Sequence, residues 1–326
     1  MRYRRLGKTG YKVSEIGFGA WAIGGQWGHV DEAQAMETLH AAVDAGVTFF
    51  DTADVYGDGR SERLVGRLRS EREEELVIAT KCGRRAPLDP DEYTPENLYA
   101  WIDRSRENLQ TDRLDLVQLH CPPWEVYYRP EVFEALDELA AANVINAYGV
   151  SVERVEEGLK ALEYPNMGSV QIIFNPFRQR PAELFLSRAQ RRDVGVIARV
   201  PLASGLLTGK MTEESTYPAD DHREFNREGA AFDVGETFAG VDFATGVQAA
   251  TQLADRVPEG ATLAQAALRW ILMHEGVSTT IPGAKRPEQV RENAAASLMP
   301  ELDEDLVDAF RWIYEERIAP QVHHRW

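Results

Sequence analysis

Eight short apolar runs separated by helical stretches predict an α/β fold, a (β/α)8 barrel, for this chain of 326 residues. Two further observations support that class. Three consecutive runs end on polar residues: Phe49-Phe50-Asp51, Leu76 through Lys81, and Leu114 through His120. Parallel barrel strands present such groups at their carboxyl ends. The length also suits a barrel built as one unit, so residues 1–326 read as a single domain.

Taken in order, Arg2 to Leu6 and Lys12 to Ile16 flank Gly7-Lys8-Thr9-Gly10, which reads as a β-hairpin ahead of the main fold. Ile16 to Ala20 is the first short strand. Helices and strands then alternate: helix Asp31 to Ala45, strand Val47 to Phe50, helix Ser61 to Arg69, strand Leu76 to Thr80. Helix Pro95 to Leu109 leads to strand Leu114 to Leu119, and helix Pro130 to Ala142 to strand Asn146 to Ser151. Both helices carry proline at the first turn, where its missing N–H costs nothing. Helix Val155 to Leu162 precedes strand Val170 to Ile173, and helix Ala182 to Arg192 precedes strand Gly195 to Ala198. The rhythm then breaks. Thr208 to Thr245, rich in Gly, Asp, Glu, Phe and Pro, is a long loop before the last βα unit, either a binding or closing element or a disordered, salt-adapted insertion. Helix Thr262 to His274, strand Ser278 to Ile281 and helix Pro287 to Ala296 complete the barrel. Asp303 to Glu316 is a terminal helix, and Ile318 to Trp326 a tail expected over the barrel mouth.

Composition narrows the function. A net charge of −17 disfavours nucleic acid and anionic membranes, which select basic surfaces. It fits a protein adapted to high salt or simply an acidic enzyme. No apolar run approaches the ~20 residues that span a bilayer, and the basic start Met1 to Leu6 lacks the apolar stretch of a signal peptide. The two cysteines, Cys82 and Cys121, fit a reducing compartment, so a cytoplasmic protein is expected. They directly follow Lys81 and His120, and strand alternation turns them away from the rim toward the helices.

Asp51, Tyr56, Lys81 and His120 meet at one rim of the predicted barrel. An ammonium near a phenol lowers its pKa from about 10, and a carboxylate keeps the lysine charged and in place. Such a tyrosine can protonate a carbonyl oxygen. Taken singly, Asp51 and Lys81 also suit a buried structural ion pair, and His120 a hydrogen-bonded barrel residue. No cluster of histidines and carboxylates at ligand spacing appears, so no metal is expected.

With these residues on consecutive strands, the chain resembles the aldo-keto reductase superfamily. Gly17-Phe18-Gly19-Ala20-Trp21, Phe50 to Gly57, Thr80-Lys81, Leu119-His120, Gly149-Val150-Ser151, Val170-Gln171, Pro201 to Lys210 and Ile281 to Ala284 carry the resemblance in order. The pattern is similar to the bacterial branches that also resemble potassium-channel β subunits. The resemblance implies an NADPH-dependent oxidoreductase that reduces aldehydes or ketones to alcohols. Tyr56 would be the general acid, Lys81 its tuning cation, Asp51 the anchor of Lys81, and His120 the residue that orients the substrate carbonyl. It also implies that Ser151 and Gln171 hold the nicotinamide carboxamide and that Leu202, Ser204 and Lys210 lie along the diphosphate. Lys285, Arg286, Gln289, Glu292 and Asn293 fall at the adenosine end, where Lys285 and Arg286 supply positive charge for a 2′-phosphate and favour NADP over NAD.

The chain departs from the family pattern at Val152, where an asparagine is common, and at Arg199, where an aromatic residue usually stacks on the nicotinamide. A guanidinium at Arg199 can stack there too, and its charge is expected to disfavour the cationic oxidised ring. Trp21, Trp27, Trp124 and Tyr127, in loops after the first and fourth strands, are expected to line a pocket for a moderately apolar small-molecule carbonyl substrate. The channel-subunit likeness leaves a second reading open, an NADP(H)-binding redox sensor with little turnover. A monomer or small homo-oligomer suits the acidic surface.

Overall fold

The computed structural model describes residues 1–25, 27–28 and 30–326. Strands β1 (Tyr3–Arg5) and β2 (Lys12–Ser14) form the expected antiparallel hairpin. The barrel strands are β3 (Phe18–Gly19), β4 (Phe49–Asp51), β5 (Val77–Cys82), β6 (Leu114–His120), β7 (Ile145–Ser151), β8 (Ser169–Ile173), β9 (Gly195–Arg199) and β10 (Thr279–Thr280), each paired in parallel with its sequence neighbour. β3 and β10, the two edges of this sheet, meet through parallel bridges at Ile16–Thr280 and Gly19–Gly283, which close the barrel. Gly17 N donates to Thr280 O at 2.8 Å and Gly19 N to Pro282 O at 3.2 Å. Closure needs glycine at position 19, because a Cβ there would lie 2.7 Å from Ile281 O.

Helices α1 (Trp21–Gly24), α2 (Glu32–Asp44), α3 (Arg60–Glu71), α4 (Pro95–Leu109), α5 (Pro130–Ala141), α6 (Val155–Ala161) and α7 (Phe185–Arg191) follow the first six barrel strands, α1 and α2 both after β3. Their starts have chemical causes: Asp31 accepts from Gln34 N at 2.9 Å, and Thr94 from Asn97 N at 3.3 Å. The hairpin plugs the end at which the strands begin. Leu6 and Val13 pack there with Phe49, Val77, Leu116, Ile197 and Ile281, all buried inside the barrel. A larger apolar layer lies between strands and helices.

The segment between β9 and β10 bears the expected helix within Thr262 to His274 but differs from the loop expected over Thr208 to Thr245. It contains α8 (His222–Phe225), α9 (Phe243–Ala254) and α10 (Leu263–Leu272), with single turns at Val234–Glu236 and Phe238–Gly240. Asp242 caps α9 by accepting from Thr245 N at 2.9 Å. After β10 come α11 (Pro287–Ala295) and α12 (Glu304–Ile313), the latter running into a π-helical turn, Tyr314–Ile318. The tail folds back onto the barrel, where Trp326 is buried against the 233–240 segment. Among the described residues, no helix is long and apolar enough to cross a membrane.

Candidate active site

Register brings the polar strand ends together. Asp51 ends β4, His120 ends β6 and pairs with Ser151 at the end of β7, and Ser151 pairs with Gln171 of β8. Alternation in β5 turns Lys81 inward and Thr80 outward, where its hydroxyl donates to Glu62 Oε1 of α3 at 2.5 Å. Lys81 Nζ donates to Asp51 Oδ1 at 2.5 Å, to Thr52 O at 2.9 Å and to Tyr56 Oη at 3.4 Å. Asp51 Oδ2 accepts from Gln171 Nε2 at 2.7 Å and Gln118 Nε2 at 3.2 Å, so both its oxygens are held. Tyr56 lies under Trp21, stacked at 5.8 Å, and edge-on to His120 at 5.9 Å.

The electrostatics depart from the sequence expectation at Tyr56. Burial pushes the phenol above its ordinary pKa, and Lys81 only partly opposes that rise. Lys81 itself is raised: burial would lower it, but Asp51 and Tyr56 outweigh burial and keep it charged. His120 is held well below its ordinary value by burial and by Arg84 and Lys81, so its imidazole is neutral. Its Nδ1 is buried without a partner.

One cavity of about 570 Å³ takes in Asp51, Tyr56, His120, Trp21 and Trp27 on one side. Ser151, Gln171, Arg199, Leu202, Ser204 and Lys210 also line it, as do Lys285, Arg286, Gln289, Glu292 and Asn293. Trp124 and Tyr127 do not. Their turn is tied to the flank of the barrel, with Tyr164 Oη donating to Tyr127 O at 2.9 Å; Tyr127 is wholly buried and Trp124 is 42% exposed. Ser204 Oγ is engaged by backbone, accepting from Phe238 N at 3.0 Å and donating to Glu236 O at 3.3 Å.

Arg199 is paired, which alters the charge expected of it. Its Nη2 donates to Glu153 Oε2 at 3.0 Å and Val152 O at 3.1 Å, and its Nη1 lies 3.7 Å from Glu236 Oε2. Arg84 Nη2 completes the group, 3.0 Å from Glu153 Oε1 and 2.5 Å from Glu236 Oε1. Burial and the neighbouring Glu236 push Glu153 up, and Arg199 and Arg84 oppose that rise. Burial would raise Glu236 as well, but Arg84 and Arg199 hold it well below the carboxylate range. Glu153 was legible in principle, two residues past Ser151 on a strand end. Arg84 and Glu236 carry no local signal.

Cys82 faces the helices as expected, packed in the outer apolar layer. Cys121 does not. The strand has ended, its φ is +49°, and its Sγ lies 3.7 Å from Ser151 Oγ and 3.6 Å from Arg199 Nη2. Burial raises both thiols, so neither is activated.

A closed eight-stranded barrel thus sets a buried Lys–Asp pair against a tyrosine, an arrangement suited to acid–base chemistry. Residues 15–315 match the aldo/keto reductase family, and the chain belongs to it. It is 33% identical over 305 residues to the aldo-keto reductase YhdN of Bacillus subtilis, covering 89% of this chain and 87% of that one. It is 28% identical over 341 residues to a probable voltage-gated potassium channel subunit beta of Arabidopsis thaliana, covering 97% and 98%. Its fold matches the holo form of the aldo-keto reductase AKR11C1 from Bacillus halodurans with a TM-score of 0.77 at 26% identity over 96% of each chain.

Proposed function

We propose that this protein is an NADP(H)-dependent reductase of aldehydes or ketones with Tyr56 as its general acid. The observation that carries the reading is the buried Lys81 ammonium, bound to Asp51 and 3.4 Å from Tyr56 Oη, beside a cavity that Asp51, Tyr56, Lys285 and Arg286 line. The donor set fits a nicotinamide dinucleotide. Ser151 and the amide oxygen of Gln171 suit the carboxamide, since Gln171 Nε2 is committed to Asp51. Leu202, Ser204 and Lys210 suit the diphosphate. Lys285, Arg286, Gln289, Glu292 and Asn293 suit the adenosine end, where α11 opens at Pro287 with no side-chain cap and its positive dipole end favours a phosphate.

The cofactor, when bound, supplies hydride to the carbonyl carbon. Tyr56 holds its proton because burial keeps the phenol up, and releases it to the carbonyl oxygen as negative charge develops there. Lys81 stays charged and stabilises the resulting phenolate. Asp51 fixes Lys81, and neutral His120 orients the carbonyl. Trp21 and Trp27 form an apolar wall for the substrate.

NADPH oxidation against a panel of aldehydes and ketones, in low and high salt, for the wild type and Tyr56→Phe, tests this reading. Turnover that collapses in the variant while NADPH binding persists is expected. Tight binding without turnover in either protein would favour a cofactor-sensing role, which the likeness to a channel subunit supports. A small-molecule carbonyl as partner, a cytoplasmic location and a monomer or small homo-oligomer accompany the proposal.

A further inference from the structure

Glu236 reaches the cavity from the long excursion after β9, on a turn held by its own backbone bonds and by Ser204 Oγ. Phe238 and Ala239 adopt φ of +52° and +58°, a left-handed conformation that side-chain-bearing residues disfavour. A contact from outside the turn adds a further hold against that strain.

Trp326 supplies that hold. Its Nε1 donates at 3.0 Å to Asp233 Oδ1, the same oxygen that accepts from Gly235 N at 2.6 Å. Its ring lies 4.1 Å from the guanidinium of buried Arg178, whose Nη1 donates to Ala239 O at 3.2 Å. The indole is seated against the backbone on both sides of Glu236: a Cβ on Gly240 would stand 2.5 Å from Trp326 Cη2, and one on Gly235 2.9 Å from its Cε2. Trp326 O accepts from Arg180 Nη1 at 2.6 Å, which ties the indole to the barrel after β8. From within the turn, the Glu236 carboxylate reaches Arg84 and Arg199.

We propose that Trp326 is a positioning residue for the cavity, clamping the 233–240 turn so that Glu236 stays between Arg84 and Arg199. The proposal rests on the reductase reading for its kinetic consequence, not for the clamp itself. Release of Glu236 would leave two buried guanidiniums facing Glu153 alone, at the wall of the cavity that Arg199, Tyr56 and His120 line. An uncompensated charge at low dielectric is felt by both groups.

The test uses Trp326→Ala, Trp326→Phe, Glu236→Gln and the Trp326→Ala/Glu236→Gln double variant of the full chain. Hydrogen exchange is read on the amides of residues 233–241, above all Gly235, whose acceptor Asp233 Oδ1 also takes the indole N–H, with the amides of β6 as control. Loss of the cation–π contact and one buried hydrogen bond predicts exchange about tenfold faster in Trp326→Ala, with β6 unchanged and Trp326→Phe closer to wild type. Carbonyl kcat/KM is expected to fall in Trp326→Ala and Glu236→Gln, with the double variant no lower than the worse single one. Unchanged exchange in Trp326→Ala overturns the clamp, and multiplicative kinetic losses overturn its action through Glu236. The exchange arm needs no turnover: a wild type that reduces no carbonyl sinks the reductase reading, and exchange still decides the clamp.

Discussion

Lys81 Nζ and Asp51 Oδ1 lie 2.5 Å apart with both side chains almost wholly removed from water. Removing one partner of such a pair strands a buried charge, at a cost of roughly 3–5 kcal/mol. Lys81→Met is therefore expected to unfold at a markedly lower temperature and to lose turnover by at least about 10²-fold, the range of a lost acid–base function. Lys81→Met/Asp51→Asn should regain stability but not activity. Thermal melts beside the NADPH assay check both, and recovery of activity in the double variant would contradict the assigned role of Lys81.

Asp54 gives a pH signature. Its carboxylate is fully buried, neither oxygen has a partner, and burial and Glu62 raise it to about 7. A carboxyl whose folded pKa exceeds its unfolded value near 3.8 binds its proton more tightly when folded, so stability falls as pH rises through that window. Asp54→Asn should raise the melting temperature at pH 8, with the gain shrinking toward pH 4. A pH-independent difference would argue against a protonated Asp54.

The buried histidines act in the opposite direction. His120, His222 and His274 are all held below their ordinary pKa, burial being the largest cause. A histidine with a depressed folded pKa stabilises the fold above its unfolded value of about 6.5, and that contribution is lost as pH falls below it. Melting temperature is expected to drop between pH 7 and pH 5, and the drop should be smaller in His274→Gln, which lies outside the cavity lining.

Arg199 shares its charge with Glu153 and Glu236, so the preference for NADPH over NADP+ expected from an unpaired guanidinium should be weak. Arg199→Tyr is expected to shift the ratio of the two dissociation constants by less than about threefold, under 1 kcal/mol, while lowering the melting temperature as two carboxylates lose a partner. A large change in the ratio measured by titration would restore the simpler charge argument.

Lys285 and Arg286 bear on NADPH against NADH. A charge-assisted contact to phosphate is worth about 1.5–3 kcal/mol, so Arg286→Ala should weaken NADPH binding by roughly tenfold or more and leave NADH nearly unaffected. Lys285 also donates to Trp27 O, so its removal is expected to loosen that loop as well. Equal losses for both cofactors would place Arg286 away from the 2′-phosphate.

The barrel was legible because its signal is local. Alternating apolar runs and helix starts at Asp31, Pro95, Pro130 and Pro287 locate most strands and helices to within a few residues. Helix α9 escaped notice because Thr245, Gly246 and Thr251 are weak helix formers, and packing on the barrel overrides that propensity.

By itself the sequence determined the strand order, the inward face of β5 and the identities of Asp51, Tyr56, Lys81 and His120, since periodicity and a short motif encode each of them. Only the tertiary structure decided that the Tyr56 phenol is raised rather than lowered, because burial is a property of the assembled barrel. It also decided that Arg84, Glu153, Arg199 and Glu236 form one charge group, that Trp124 and Tyr127 face away from the cavity, and that Trp326 closes on the turn bearing Glu236. Those contacts join residues far apart in the chain, and no periodicity records which distant side chains barrel closure brings together.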